Sequence, residues 1–359
     1  MGLTHADIDD FVNTTLPLIT KNKWEDISLP LQKYTFASRW FREREKPEEG
    51  GQYLTWTIQF ADQTNARPSK IFDTETTNRV RMTVPGRVDW TKQVNNYSYD
   101  VDEDNFQMGE VRLIRYLDML EKSLYTGFFV FMENMLWTAP GSSTLDPMVP
   151  SGIPFWVQRM TAAQIAAATA PGWNGANPPG WAAGAGSVDS ATYTRWKNWN
   201  GLYAQISRDD LVEKIITACD KCDFRAPRDF AQIGKGNPDW GYYTTYPVLA
   251  TMRRMLATQN DSLGLDVAAY STGVLLRSSP IEDVPALTES ESLAYDATDP
   301  FYGINWNHFG FFFKSGRNML KEPPAVAPNQ PSVRIRRMTN WCNSKCTNRR
   351  TQFVLHKAA

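Results

Sequence analysis

Four cysteines fall in two close pairs, Cys219-x-x-Cys222 and Cys342-x-x-x-Cys346. Two such pairs could bring four thiolates around a tetrahedral zinc ion. Against that reading, Cys219 and Cys222 close an expected helix, the second pair is loosely spaced, and no glycine-bearing knuckle follows either pair. The preferred reading is four reduced thiols in a chain made where disulfides do not form, with no metal and no cofactor. Zinc on Cys219, Cys222, Cys342 and Cys346 stands as the alternative.

Acid–base chemistry has little to work with. Histidine occurs only as His5, His308 and His356. No Gly-x-Ser-x-Gly elbow accompanies them, and neither a phosphate loop nor a dinucleotide fingerprint is present. Gly234-Lys-Gly236 is a turn, and Pro238 interrupts the free amides that would cradle a phosphate. The chain therefore reads as a non-enzyme. Its charges suit contacts instead. Arg67, Lys70, Asp73, Glu75, Arg79, Arg81 and Arg87 crowd one polar stretch, as solvated charges on a self-contained sheet or as contact residues. The tail from Pro331 carries Arg334, Arg336, Arg337, Lys345, Arg349, Arg350 and Lys357 with no acid. DNA is one possible partner for it. Acids such as Asp100–Asp104, on this or a neighbouring subunit, are the favoured one.

Composition sets the frame. The 359 residues are 42% hydrophobic and 21% charged, with a net charge of −1, as in an ordinary globular protein of two or three domain-sized units. Near-neutral charge argues against a dedicated nucleic-acid binder. Asp7, Asp9 and Asp10 stand where a signal peptide would be positive. The apolar run Gly127–Leu136 is too short for a membrane span. Synthesis in a cytoplasm, with no membrane partner, is the expectation. Thirteen tryptophans supply much burial and also suit interfaces.

The strongest periodic signal runs from Glu110 to Leu136. Val111, Ile114, Leu117, Leu124, Phe128 and Phe131 recur at helical spacing and form the expected core stripe. Such a helix is roughly 40 Å long at ~1.5 Å per residue, which is long for a globular protein. Before it, Leu54, Trp56, Ile58 and Phe60 alternate with polar residues as in a half-buried strand. Strand character returns at Arg79–Val84, Pro85-Gly86 reads as a turn, and Arg87–Tyr99 is again extended. Together they make a long two-stranded excursion with a polar tip, and an isolated hairpin is marginal in water. Thr138–Ser190 reads as an ordered loop whose tryptophans need burial. Helices are expected at Ser207–Asp223 and Tyr246–Gln259, strands within Leu265–Val284 and Phe301–Phe313, and a terminal hairpin with arms Val333–Trp341 and Arg350–His356.

This order of parts resembles the α+β Hong Kong 97-like capsid fold of tailed double-stranded DNA bacteriophages. Several phrases are similar to family members: Gly152-Ile-Pro-Phe-Trp, Trp199-Asn-Gly-Leu-Tyr, Ser279-Pro-Ile-Glu-Asp-Val-Pro, Pro300-Phe-Tyr-Gly-Ile-Asn-Trp and Asn348-Arg-Arg-Thr-Gln-Phe-Val-Leu. The resemblance implies an N-terminal arm (1–51), an extended β loop (52–100) and a peripheral domain (101–205). That domain would hold the spine helix (about 110–136) and an Ala/Gly/Pro/Trp-rich insertion. An axial domain (206–295) and a return to the peripheral domain ending in the β hairpin (296–359) would follow. It also implies a major capsid protein made in a bacterial host and resident in the virion. Its partners would be itself, as hexamers and pentamers closing an icosahedral shell, then scaffolding, portal and decoration proteins, and packaged double-stranded DNA on the inner face. The alternatives are a decoration or tail subunit, or an enzyme of unknown class.

Overall fold

The structure is a computed structural model that describes residues 35–36, 46–48, 51–61, 65–72, 74, 80–101, 110–142, 148–222, 239–258, 274–277 and 279–358. The side chains of 46–48, 110–116 and 256–258 are outside the description, and with them those of Val111 and Ile114. Most of the expected N-terminal arm also lies outside it. The chain divides into two compact units. One comprises Met1–Gly50, Thr91–Met135 and Phe312–Cys342, the other Gly51–Trp90, Leu136–Phe311 and Asn343–Ala359.

The first unit is built on β13 (Gln330–Cys346), a strand of 17 residues. It pairs antiparallel with β4 (Thr91–Asp100), from Val333 opposite Asp100 to Cys342 opposite Thr91. Strands β10 (Phe309–Lys314), β11 (Leu320–Lys321) and β12 (Ala325–Ala327) also pair with β13, and β1 (Lys46–Glu48) extends the sheet beside β10. Along β4, Thr91, Gln93, Tyr97 and Tyr99 are buried and Lys92, Val94, Asn96 and Ser98 are exposed, the two-residue period of a sheet with one covered face. Thr91–Tyr99 is therefore a sheet strand, not the second half of the β loop.

The long helix is α1 (Glu110–Leu136). Leu117, Leu124 and Phe128 are buried, and the buried arc continues through Met132 and Leu136. Phe131 is a correction, being 41% exposed. Over the last turns the buried arc drifts toward Phe129, Met132 and Glu133, and Phe131 is left at its rim. Two carboxylates share the buried arc, which apolar periodicity could not reveal. Glu121 pairs with Lys321, whose ammonium burial and the nearby Arg336 pull down to about 8. Glu133 accepts the Phe36 N–H at 2.7 Å.

The second unit contains a six-stranded sheet in the order β5 (Trp199–Leu202), β14 (Phe353–His356), β9 (Phe301–Asn305), β6 (Trp240–Thr244), β8 (Ser279–Asp283), β7 (Leu275–Leu276). Helices α2 (Glu213–Cys222) and α3 (Tyr246–Thr258) supply Ile215, Ala218, Val248, Leu249 and Met252 to a core with Tyr242, Phe301, Phe353 and Leu355. Gly303 faces Phe353 across the ladder, where a Cβ would stand 2.0 Å from the ring. The expected terminal hairpin does not form. β13 runs on through the supposed loop to Cys346, and a 3-10 turn at Arg349–Thr351 leads β14 into a different sheet, between β5 and β9. An unbroken strand left no residues to reverse the chain.

The same unit carries a two-stranded ribbon, β2 (Tyr53–Gln59) against β3 (Thr83–Asp89). Pro85-Gly86, expected as a turn, sits inside β3. Phe60 N–H donates to the Met82 carbonyl, so alternation places Pro85 opposite Thr57 in a non-hydrogen-bonded pair, where a missing N–H leaves the ladder intact. Gly86 lies under the Trp56 indole, where a Cβ would stand 2.6 Å from the ring.

At the end of β14, buried His356 accepts the Met160 N–H at Nε2 (3.3 Å), leaving Nδ1–H to donate to the Lys357 carbonyl (2.7 Å). Burial lowers its pKa from 6.5; the Lys357 bond and Asp296 oppose this and Arg159 reinforces it. The unfolded chain then takes up a proton that the folded chain resists. Stability from this group is present above about pH 6.5, falls as pH drops below that value, and levels off beneath the folded pKa. Urea midpoints measured across this range should fall in the wild type, and His356→Gln should remove that share of the fall.

Candidate interaction surface

The ribbon ends in an exposed loop. Residues 65–72 and 74 are exposed throughout. Arg67 bonds the Thr74 carbonyl and closes the loop on itself. Lys70, Arg81 and Arg87 are exposed, so four of the seven charged contact candidates sit on the ribbon surface. Asp73, Glu75 and Arg79 lie outside the described residues. The loop also presents Ile71 and Phe72. The sequence reading did not single them out, although two adjacent large apolar residues inside a polar run were a visible signal.

The base of the ribbon is held firmly. Trp56 packs on Trp156 at 5.9 Å, and Phe60 packs on Tyr193 at 4.7 Å and Trp196 at 6.0 Å. Arg195 donates to the Phe60 carbonyl and Ser187 to the Arg87 carbonyl. The Arg87 guanidinium lies 4.5 Å from the centre of the Tyr53 ring, and the Lys345 ammonium 5.7 Å from that of Trp56. A ribbon fixed at one end and bare at the other can reach another molecule without losing its own register.

What fixes the base is a buried cation. Arg349 has 0% exposure and, among the described residues, pairs with no carboxylate. Its guanidinium donates to the carbonyls of Trp156 (2.7 Å), Trp196 (3.2 Å) and Ala176 (3.2 Å) and to Asn198 Oδ1 (3.2 Å). Burial pulls its pKa down to about 10, so it stays charged at neutral pH. The planar fork thus joins the segments bearing both tryptophans on which the ribbon packs. The insertion completes this platform: Trp181 packs on Phe155 at 5.1 Å and Trp173 on Trp199 at 5.0 Å, with the Arg350 guanidinium 4.0 Å from the centre of the Trp173 ring.

The basic tail is therefore largely internal. Arg334, Arg336, Lys345 and Arg349 are buried, which removes them from any contact with DNA. The cysteines are buried reduced thiols. Cys219 Sγ lies 3.6 Å from the Tyr242 hydroxyl, Cys222 Sγ 3.9 Å from the Gln352 carbonyl, and Cys342 Sγ 3.2 Å from Gln93 Oε1. Burial pushes Cys342 and Cys346 up to about 12. Among the described residues no group of three or more His, Cys, Asp or Glu could hold a metal ion. His308 Nδ1 meets Thr347 Oγ1 at 3.2 Å, and His5 lies outside the described residues. No described helix is long and apolar enough to cross a membrane.

No protein-family model matches the sequence, and no curated protein matches it. Solved structures do match. A chain of the cyanophage A-1(L) capsid aligns over 87% of this chain and 89% of its own, at 11% identity and a TM-score of 0.50. A capsid chain of a native GTA particle aligns over 94% of both chains, at 9% identity and a TM-score of 0.50. The class is thereby defined as a fold: an α+β capsid-subunit architecture. More particularly, it is the Hong Kong 97-like fold of phage capsids.

Replacing Arg349 should loosen the platform. Arg349→Met strands buried carbonyls, and Arg349→Lys cannot reach four acceptors from one ammonium. Each should lower unfolding stability by about 3 kcal/mol or more, read from urea denaturation.

Proposed function

We propose that this chain is the major capsid protein of a tailed bacteriophage, with no catalytic role. It assembles through hexamers and pentamers into an icosahedral shell around double-stranded DNA. The observation that carries this reading is the ribbon. Its base is anchored on the Trp156 and Trp196 platform while residues 65–72 leave charged and apolar groups uncovered. A two-stranded ribbon is poor at satisfying itself, and a neighbouring copy offers it a partner. The likeness of the fold to capsid chains over most of their length supports the same reading.

In this reading α1 is the spine helix of the peripheral domain (101–205 with the return 296–359), and the axial domain (206–295) supplies β6, β7 and β8. Arg67, Lys70, Asp73, Glu75, Arg79, Arg81 and Arg87 face a neighbouring subunit. Each exposed ion pair contributes only ~0–1 kcal/mol. A closed shell repeats the contact many times, so weak contacts suffice and allow misplaced subunits to leave. Scaffolding, portal and decoration proteins and packaged DNA would be partners of the shell. Synthesis falls in the host cytoplasm and residence in the virion.

Electron microscopy of the expressed chain, alone and with co-expressed phage proteins, tests the proposal. Shells or capsomer rings support it. Tubes favour a tail subunit, and small discrete oligomers favour an enzyme. Deletion of Ala61–Asn78 should leave a folded protein, by circular dichroism, that forms no shells. Normal shells from the deletion would refute the role given to the ribbon.

A further inference from the structure

Phe72 (101%), Ile71 (88%) and Leu293 (73%) are the most exposed large apolar side chains among the described residues. All three belong to the second unit, and within it the ribbon tip and Leu293 leave each other uncovered. Surfaces of this kind mark contacts with other molecules.

Leu293 lies in the connection from the short helix α4 (Pro285–Thr288) to β9. There Glu289, Glu291, Leu293 and Tyr295 are exposed at alternate positions. Tyr246 is exposed as well, and its N–H donates to Thr288 Oγ1 at 3.1 Å, which ties it to the start of this segment. From Ser278 to Phe313 the sequence has no Lys or Arg, but it has Glu282, Asp283, Glu289, Glu291, Asp296 and Asp299. Asp296 is paired with Arg159 and Asp299 with Lys357. Glu289 and Glu291 make no ion pair among the described residues. The segment thus offers two acids beside three large apolar groups.

The ribbon tip offers the converse, two cations beside two large apolar groups. We propose that the tip of one subunit docks on the Glu289–Tyr295 segment of a second copy of this chain. Ile71 and Phe72 pack against Leu293, Tyr295 and Tyr246, and Arg67 and Lys70 face Glu289 and Glu291. This rests on the assembly reading above and names the ribbon's acceptor. Apolar anchors ringed by charge are the ordinary anatomy of a specific interface. Because donor and acceptor are different patches of one chain, the contact is heterologous, and it closes when copies form a ring or shell.

Two experiments on the full chain test the docking. In the first, Phe72→Cys and Leu293→Cys are combined and assembled particles are oxidised; the native cysteines are buried. Disulfide-linked multimers that are absent from either single variant are expected. Particles that assemble but stay unlinked would overturn the proposal. In the second, Arg67→Glu with Lys70→Glu should leave melting unchanged and abolish shells, and adding Glu289→Lys with Glu291→Lys should restore them. Loss without restoration, or no loss, would place the acceptor elsewhere while leaving the capsid reading intact. If the unaltered chain forms no shells, the assembly reading itself fails and the docking falls with it.

Discussion

A guanidinium sealed away from water governs the second unit. Arg349 is answered by carbonyl oxygens from three separate segments and by one side-chain amide, with no counter-charge paired to it among the described residues. An unmet cation at that depth would be prohibitive, so the segments bearing Trp156, Ala176, Trp196 and Asn198 must converge. Once they converge, Trp156 and Trp196 form a surface of fixed shape. Trp56 and Phe60 of the ribbon pack on that surface, and Gly86 lets the Trp56 ring close over β3. A polar constraint in the interior thereby becomes a directional feature on the exterior.

The consequence for assembly is that order and exposure are separated along one ribbon. Near the platform, stacked rings and backbone donors set the register. Beyond Phe60 and Met82 the described residues 65–72 and 74 present exposed side chains. A projection that was floppy from its root would surrender much entropy on docking, whereas a rooted one surrenders little. This favours weak contacts that are still specific, as closure of a shell from many copies demands.

Much of the fold could be read from the residues, and what could not has identifiable causes. The helix Glu110–Leu136 announced itself by spacing, as did the strand around Trp56. Four of the five family-like phrases became strands of one sheet, β5, β8, β9 and β14. Local pattern misled where partners decide. Pro85-Gly86 has the composition of a turn, but pairing with Thr57 and Trp56 keeps it in a strand. Arg350–His356 looked like a hairpin arm, but its partners are β5 and β9. The buried roles of Arg349, Glu121 and Glu133 were hidden because charge in a sequence does not reveal burial. Of the surface candidates, Arg67, Lys70, Arg81 and Arg87 were legible from charge alone. Ile71 and Phe72 were passed over because two residues make no period.

Hydrogen–deuterium exchange across the ribbon, compared between free subunits and purified particles, probes the central claim most directly. The account predicts slow exchange at the Trp56 end in both states. It also predicts fast exchange of residues 65–74 in free subunits that becomes slow in particles. A tip already protected in the free subunit, or equally unprotected in both, would contradict the claim that the ribbon tip finds its partner in a neighbouring copy.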